Sequence, residues 1–200
     1  MKYTCAYCQK HACHKNTLKD APKNCPTNNE KEKIKEINSL YNNVENYNIA
    51  KAAAEVVMDN YGIKPRVKEI IDFCKKMNYR KLGLAFCVGL AKEANIFNQI
   101  LIKNGFEVES LICKLGSVNR EKIGIENCDV PMCNPIVQAE FLNEEKTEFN
   151  IILGLCVGHD TLFFKYSKAL VTVLAVKDRA LAHNPLGAIY QADGYYKNRI

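Results

Sequence analysis

The chain has 200 residues, 48% of them hydrophobic and 25% charged, a balance that excludes a disordered chain and suits one domain with a small appendage. Its formal charge of +6 comes from lysines scattered among Glu and Asp, without the dense, aromatic-interleaved basic stripe of many nucleic-acid binders, so no nucleic-acid partner is expected. No apolar run reaches the roughly 18 residues that a membrane span requires, and the opening MKYTCAYCQKHACHKN lacks a signal-like apolar core, so a cytoplasmic protein without membrane insertion is expected.

Ten cysteines are the outlying number. Without a signal segment thiols stay reduced, so metal binding or redox chemistry is a stronger reading than a disulfide framework. Cys5, Cys8, Cys13 and Cys25 crowd a polar opening segment that has no hydrophobic periodicity of its own. Helix is predicted over Glu30–Tyr41, where Ile34, Ile37, Leu40 and Tyr41 recur at helical spacing, and over Ile49–Asn60 before a stop at Gly62. Pro65 opens another helix with Val67, Ile70, Ile71 and Cys74 on one face, which makes Cys74 a core residue.

From Arg80 the pattern alternates between short apolar strands and helices. Strands are predicted at Leu82–Cys87, Phe106–Cys113, Phe149–Cys156 and Leu170–Val176, with helices at Leu90–Asn104, Pro135–Lys146 and His159–Ser167. The expected fold is α/β: an open, mostly parallel sheet with helices on both faces. The expected organisation is a cysteine-rich metal-binding segment (1–28), a helical region packing on the core (29–79) and an α/β domain (80–200). LGLAFCVG (Leu82–Gly89) and IILGLCVG (Ile151–Gly158) repeat one strand–turn–helix device, which suggests two related β-α-β halves.

The spacing C-x2-C-x4-C-x11-C of the first four cysteines can deliver four thiolates to one metal, and Pro26 follows the last as in many cluster motifs. His11 or His14 can replace one thiolate, and spacing alone leaves iron–sulfur and zinc open. A second constellation comprises Cys87, Cys113 and Cys156, each closing a predicted strand at the edge where open α/β sheets bind ligands. Cys128 and Cys133 lie in the loop CDVPMCNP before the next helix; the preferred ligand set is Cys87, Cys113, Cys133 and Cys156, with Cys128 the alternate. Gly89 and Gly158 let backbone approach a bound group closely. After the last strand, KDRALAHNPLG places Arg179 as a candidate carboxylate or phosphate binder and His183 as a candidate proton shuttle.

The N-terminal C-x2-C…NCP segment, RKLGLAFCVGLAKEA and IILGLCVGHD…DRALAHNP together resemble the DUF1847 family of bacterial and archaeal cysteine-rich, metal-binding proteins, over nearly the whole chain. The resemblance implies an anaerobe-type cytoplasmic setting, compatible with oxygen-sensitive clusters. The resulting expectation is an iron–sulfur protein with one or two clusters, of the 4Fe-4S type. It would serve electron transfer to a redox partner protein or cluster-dependent redox chemistry on a small molecule. The rivals are a zinc-stabilised small-anion-binding module and a metal or cluster carrier; whether the chain is an enzyme is open, and no motif specifies an oligomeric state.

Overall fold

The structure is a computed structural model that describes residues 3–200, with backbone alone at Asn60; Met1 and Lys2, which open the expected 1–28 segment, lie outside it. The chain divides into two compact units, Met1–Met58 and Asp59–Ile200.

The first unit is built from short helical turns. A 3-10 turn at Cys5–Tyr7, helix α1 (Ala12–Lys15), a 3-10 turn at Leu18–Asp20 and helix α2 (Pro26–Asn29) follow one another. The longer helices α3 (Lys31–Asn38) and α4 (Val44–Asn60) come next. Ala12 is the one buried residue among the described residues up to Glu30. Burying one methyl group contributes little, so hydrophobic burial does not order this segment.

The second unit is a three-layer α/β/α sandwich. Strands β1 (Lys81–Phe86), β2 (Glu107–Ile112), β3 (Phe149–Leu153) and β4 (Leu170–Ala175) form one sheet in the order β2-β1-β3-β4, every neighbouring pair parallel. The helices are α5 (Arg66–Lys76), α6 (Ala91–Lys103), α7 (Pro135–Glu144), α8 (His159–Tyr166) and a final turn α9 (Leu186–Tyr190). Alternation along the strands separates two cores. Leu82, Leu84, Ile151 and Leu153 pack with Ile70, Ile71, Phe97 and Leu101 of α5 and α6. Ala85 and Ile152 face the other way, onto Ala139 and Leu142 of α7 and Phe163 of α8. Cys74, fully buried in the first core, is a packing residue whose thiol burial pushes up to about 12.

Two β-α-β units, β1–α6–β2 and β3–α8–β4, therefore meet where β1 pairs with β3. That central join is the topological switch point, and its carboxyl end is where such sheets bind ligands. The free edges of the sheet are occupied by charge. Arg66 Nε donates to the Val173 carbonyl of β4 at 2.7 Å and its Nη2 to Thr172 Oγ1 at 3.0 Å. At the β2 edge Lys81 bridges Glu107 and Glu109 and also Glu145, whose carboxylate is first among those that raise its pKa.

The strand ends differ from expectation at one telling place. The ladder carries Cys87 and Cys113 as predicted: the Cys87 amide donates to Leu153 O at 3.0 Å and the Cys113 amide to Phe86 O at 2.8 Å. β3, predicted to run to Cys156, stops at Leu153 because Gly154 takes a left-handed φ of 69° and turns the chain out of the sheet.

At the opposite end of the sheet, Gly83 faces Asn150 across the β1–β3 join. Asn150 is fully buried, its Oδ1 accepting from Thr147 Oγ1 at 2.8 Å and its Nδ2 donating to Ser167 Oγ at 2.9 Å. A Cβ on Gly83 would run into Asn150 Oδ1 and the Leu142 side chain. Gly83→Ala is therefore expected to cost about 2 kcal/mol, the scale of overpacking a filled site. It would be read as a lower urea midpoint at unchanged m-value. An unmoved midpoint would show that the Asn150 network gives way freely.

Candidate functional site

All four N-terminal cysteines line one cavity. Cys5, Cys8, Cys13 and Cys25 line it together with His11, and its volume is about 320 Å³. Local geometry explains the convergence. His11 and Asn16, both in left-handed conformations, bracket α1 and reverse the chain on either side of Cys13. Cys25 caps α2 with Pro26 at the first helical position, and the Asn28 amide holds its thiol below the ordinary value. Cys5 and Cys13 are exposed, whereas Cys8 and Cys25 are half-buried.

The donor set suits a thiophilic metal, since four thiolates can close around one zinc ion or hold an iron–sulfur cluster. Among the described residues, no three His, Cys, Asp or Glu side chains already stand in the arrangement of a metal site.

The second constellation lies at the switch point. Cys87 Sγ accepts from the Gly89 amide at 3.3 Å and from the Lys177 ammonium. Cys113 Sγ accepts from the Val88 amide at 3.3 Å and lies 3.9 Å from Cys133 Sγ. The turn after β1 thus aims two successive amides at two sulfurs. Burial pushes the Cys87 thiol up, but the Lys177 ammonium and the Gly89 amide together outweigh it and the net shift is downward. Cys113 goes the other way, to about 11, because burial and the neighbouring Cys133 and Cys87 sulfurs outweigh its one amide.

The remaining predicted residues are placed as follows. Cys128 accepts from Arg120 Nη1 at 3.2 Å. Cys156 sits on the turn entering α8, where its carbonyl accepts the His159 and Asp160 amides at 2.9 and 3.1 Å. Of the loop cysteines, Cys133 is the one whose sulfur reaches Cys113, at 3.9 Å. Arg179 lays its guanidinium over Gly89, leaving no room there for a Cβ. Gly158 has nothing near it and is needed instead for its φ of 86° at the α8 cap. His183 closes its own loop, its amide donating to Asp178 O at 2.7 Å and its Nδ1 standing 3.1 Å from the Asp178 amide.

Two residues that the sequence places at this edge, Lys177 and His159, have environments that only the structure specifies. Lys177 reaches Cys87 across the join, both residues lying just past the end of a strand. His159 holds a buried Nδ1 without a hydrogen-bond partner, and burial lowers its pKa, with Lys114, Arg120 and Lys177 acting in the same direction against Asp160. Its imidazole is therefore neutral near pH 7.

The ammonium contact at the Cys87 sulfur makes a direct test. Lys177→Gln is expected to raise the pH at which Cys87 becomes alkylated and to slow its alkylation several-fold near neutrality, leaving Cys128 unaffected. Site-resolved mass spectrometry across a pH series reads this, and an unchanged Cys87 profile would separate Lys177 from the thiolate.

Two comparisons bear on identity. A protein of Methanocaldococcus jannaschii, described as uncharacterized protein MJ0455, is 44% identical over 200 residues, covering 98% of this chain and 97% of its own. Residues 25–174 match the family described as protein of unknown function (DUF1847), a span that includes Cys25 and every sheet-edge cysteine but not Cys5, Cys8 or Cys13. On both grounds the chain belongs to the DUF1847 family.

Proposed function

We propose that this chain is an iron–sulfur protein whose N-terminal cavity holds the cluster through Cys5, Cys8, Cys13 and Cys25. The observation that carries the reading is the single cavity lined by all four thiols, in a segment with almost no apolar burial. A segment of that kind gains its order from ligand binding, so cluster binding and folding are one equilibrium. Four cysteine thiolates, the last followed by Pro26, are the kind of donor set that holds a cluster of the 4Fe-4S type. Zinc is the second reading, favoured by His11 on the same wall. When bound, the cluster supplies one-electron chemistry; the chain supplies the thiolates, and Cys25 is readied by the Asn28 amide. Two exposed ligand sulfurs, Cys5 and Cys13, leave the site approachable, which suits exchange of electrons with a partner protein or a small molecule in the cytoplasm. Among the described residues no helix is long and apolar enough to cross a membrane.

Protein reconstituted with iron and sulfide under anaerobic conditions is expected to be brown, with broad visible absorption. The double variant Cys5→Ser/Cys8→Ser is expected to lose one cluster equivalent and to become protease-sensitive over residues 3–28. Colourless wild-type protein carrying zinc alone would reject the iron–sulfur reading. Metal content unchanged in the double variant would reject the site.

A further inference from the structure

We propose that the carboxyl edge of the sheet is a thiol–disulfide exchange site, in which Cys133 and Cys113 close into a disulfide by reducing a small-molecule disulfide. It goes beyond the N-terminal cluster and does not depend on what that cavity holds. The two sulfurs stand 3.9 Å apart, so a bond of about 2.05 Å needs only a side-chain rotation or a small loop shift. Their backbones are already tied: the Asn134 amide, next to Cys133, donates to the Cys113 carbonyl at 2.7 Å. Cys133 is half-buried and reachable from solvent, whereas Cys113 is 2% exposed and sits behind it. This is the layout of an attacking thiol in front of a resolving one. Nucleophilic thiols work in electropositive surroundings, and two cations reach the loop that carries Cys133: Lys114 donates to the Pro131 carbonyl and Arg120 to Cys128 Sγ.

The balance closes with named reactants. Cys133 sulfur attacks one sulfur of the disulfide R–S–S–R, forming a mixed disulfide and releasing R–S⁻, which takes up the Cys133 proton. Cys113 then attacks Cys133 Sγ, and the Val88 amide faces the Cys113 sulfur as it gives up its proton. The products are the Cys113–Cys133 disulfide and two R–SH, so two electrons pass from the protein to R–S–S–R.

The test uses the full chain prepared anaerobically, exposed to oxidised glutathione, quenched in acid, alkylated and mapped by peptide mass spectrometry. Wild-type protein is expected to yield a Cys113–Cys133 disulfide, while Cys74, fully buried, stays a free thiol as an internal control. Cys133→Ser is expected to leave Cys113 without glutathione or a Cys133 link. Cys113→Ala is expected to accumulate glutathione on Cys133 several-fold above wild type, because nothing resolves it. Should Cys113→Ala fail to fold, the wild-type map and Cys133→Ser still decide. Recovery of Cys113 and Cys133 as free thiols while Cys5 and Cys13 carry glutathione would overturn the proposal. Rapid loss of glutathione from Cys133 in Cys113→Ala would overturn it as well.

Discussion

Leu153 accepts the Cys87 amide across the join of β1 and β3, and that ladder bond decides which residues stand side by side at the carboxyl edge of the sheet. Because the pairing is parallel and in register from Leu82 with Phe149 to Phe86 with Leu153, Cys87 lies level with the start of the Gly154 turn. The adjacent β1–β2 register, ending at Phe86 with Ile112, sets Cys113 level with Cys87 in the same way. Moving either register by one residue would send every side chain to the opposite face and dissolve the sulfur pair with it. The close contact of Gly83 with Asn150 at the other end of the same join acts against such a slip, since a side chain in place of Gly83 would run into that amide.

Much of the α/β unit was legible because its central strands β1 and β3 are short and largely apolar and its helices carry ordinary stops. Burial on both faces is what parallel strands between helix layers require. The repeated CVG was the least reliable guide. In the first copy the turn follows the strand at once and directs two amides at sulfur. In the second, Gly154 bends the chain two residues earlier, Leu155 fills the core, and the N-cap of α8 is Gly158, whose amide donates to Asp160 Oδ1 rather than to a cysteine sulfur. Identical letters thus occupy different distances from the end of the ladder, and only the backbone dihedrals reveal it. The sequence places Lys177 at the cysteine edge but not against Cys87, because that contact, reaching 90 residues along the chain, is made by tertiary packing. The N-terminal quartet was easier, because the absence of an apolar core there is itself readable.

The cysteines sort into environments with different chemistry. Cys74 is a buried hydrophobe. The N-terminal four share a cavity in a segment with little else to hold it. Cys87 and Cys128 each lie against a cation, Lys177 and Arg120, and Cys113 pairs with Cys133. Residue type alone would group all ten as metal ligands. Burial and hydrogen-bond partners separate them, because a thiolate is favoured by cations and amides and disfavoured by apolar burial.

An open sheet of four strands has two unpaired borders, each a template on which a further strand can be laid. Here the Val173 carbonyl of β4 is already taken by Arg66, and the outer strand β2 carries Glu107 and Glu109 beside Lys81. A neighbouring chain seeking to continue the sheet would have to displace a guanidinium at one border and meet carboxylates at the other. The same side chains that finish the fold therefore obstruct its extension into sheet-to-sheet polymers, which matters most while a nascent chain has formed its strands but not yet covered them.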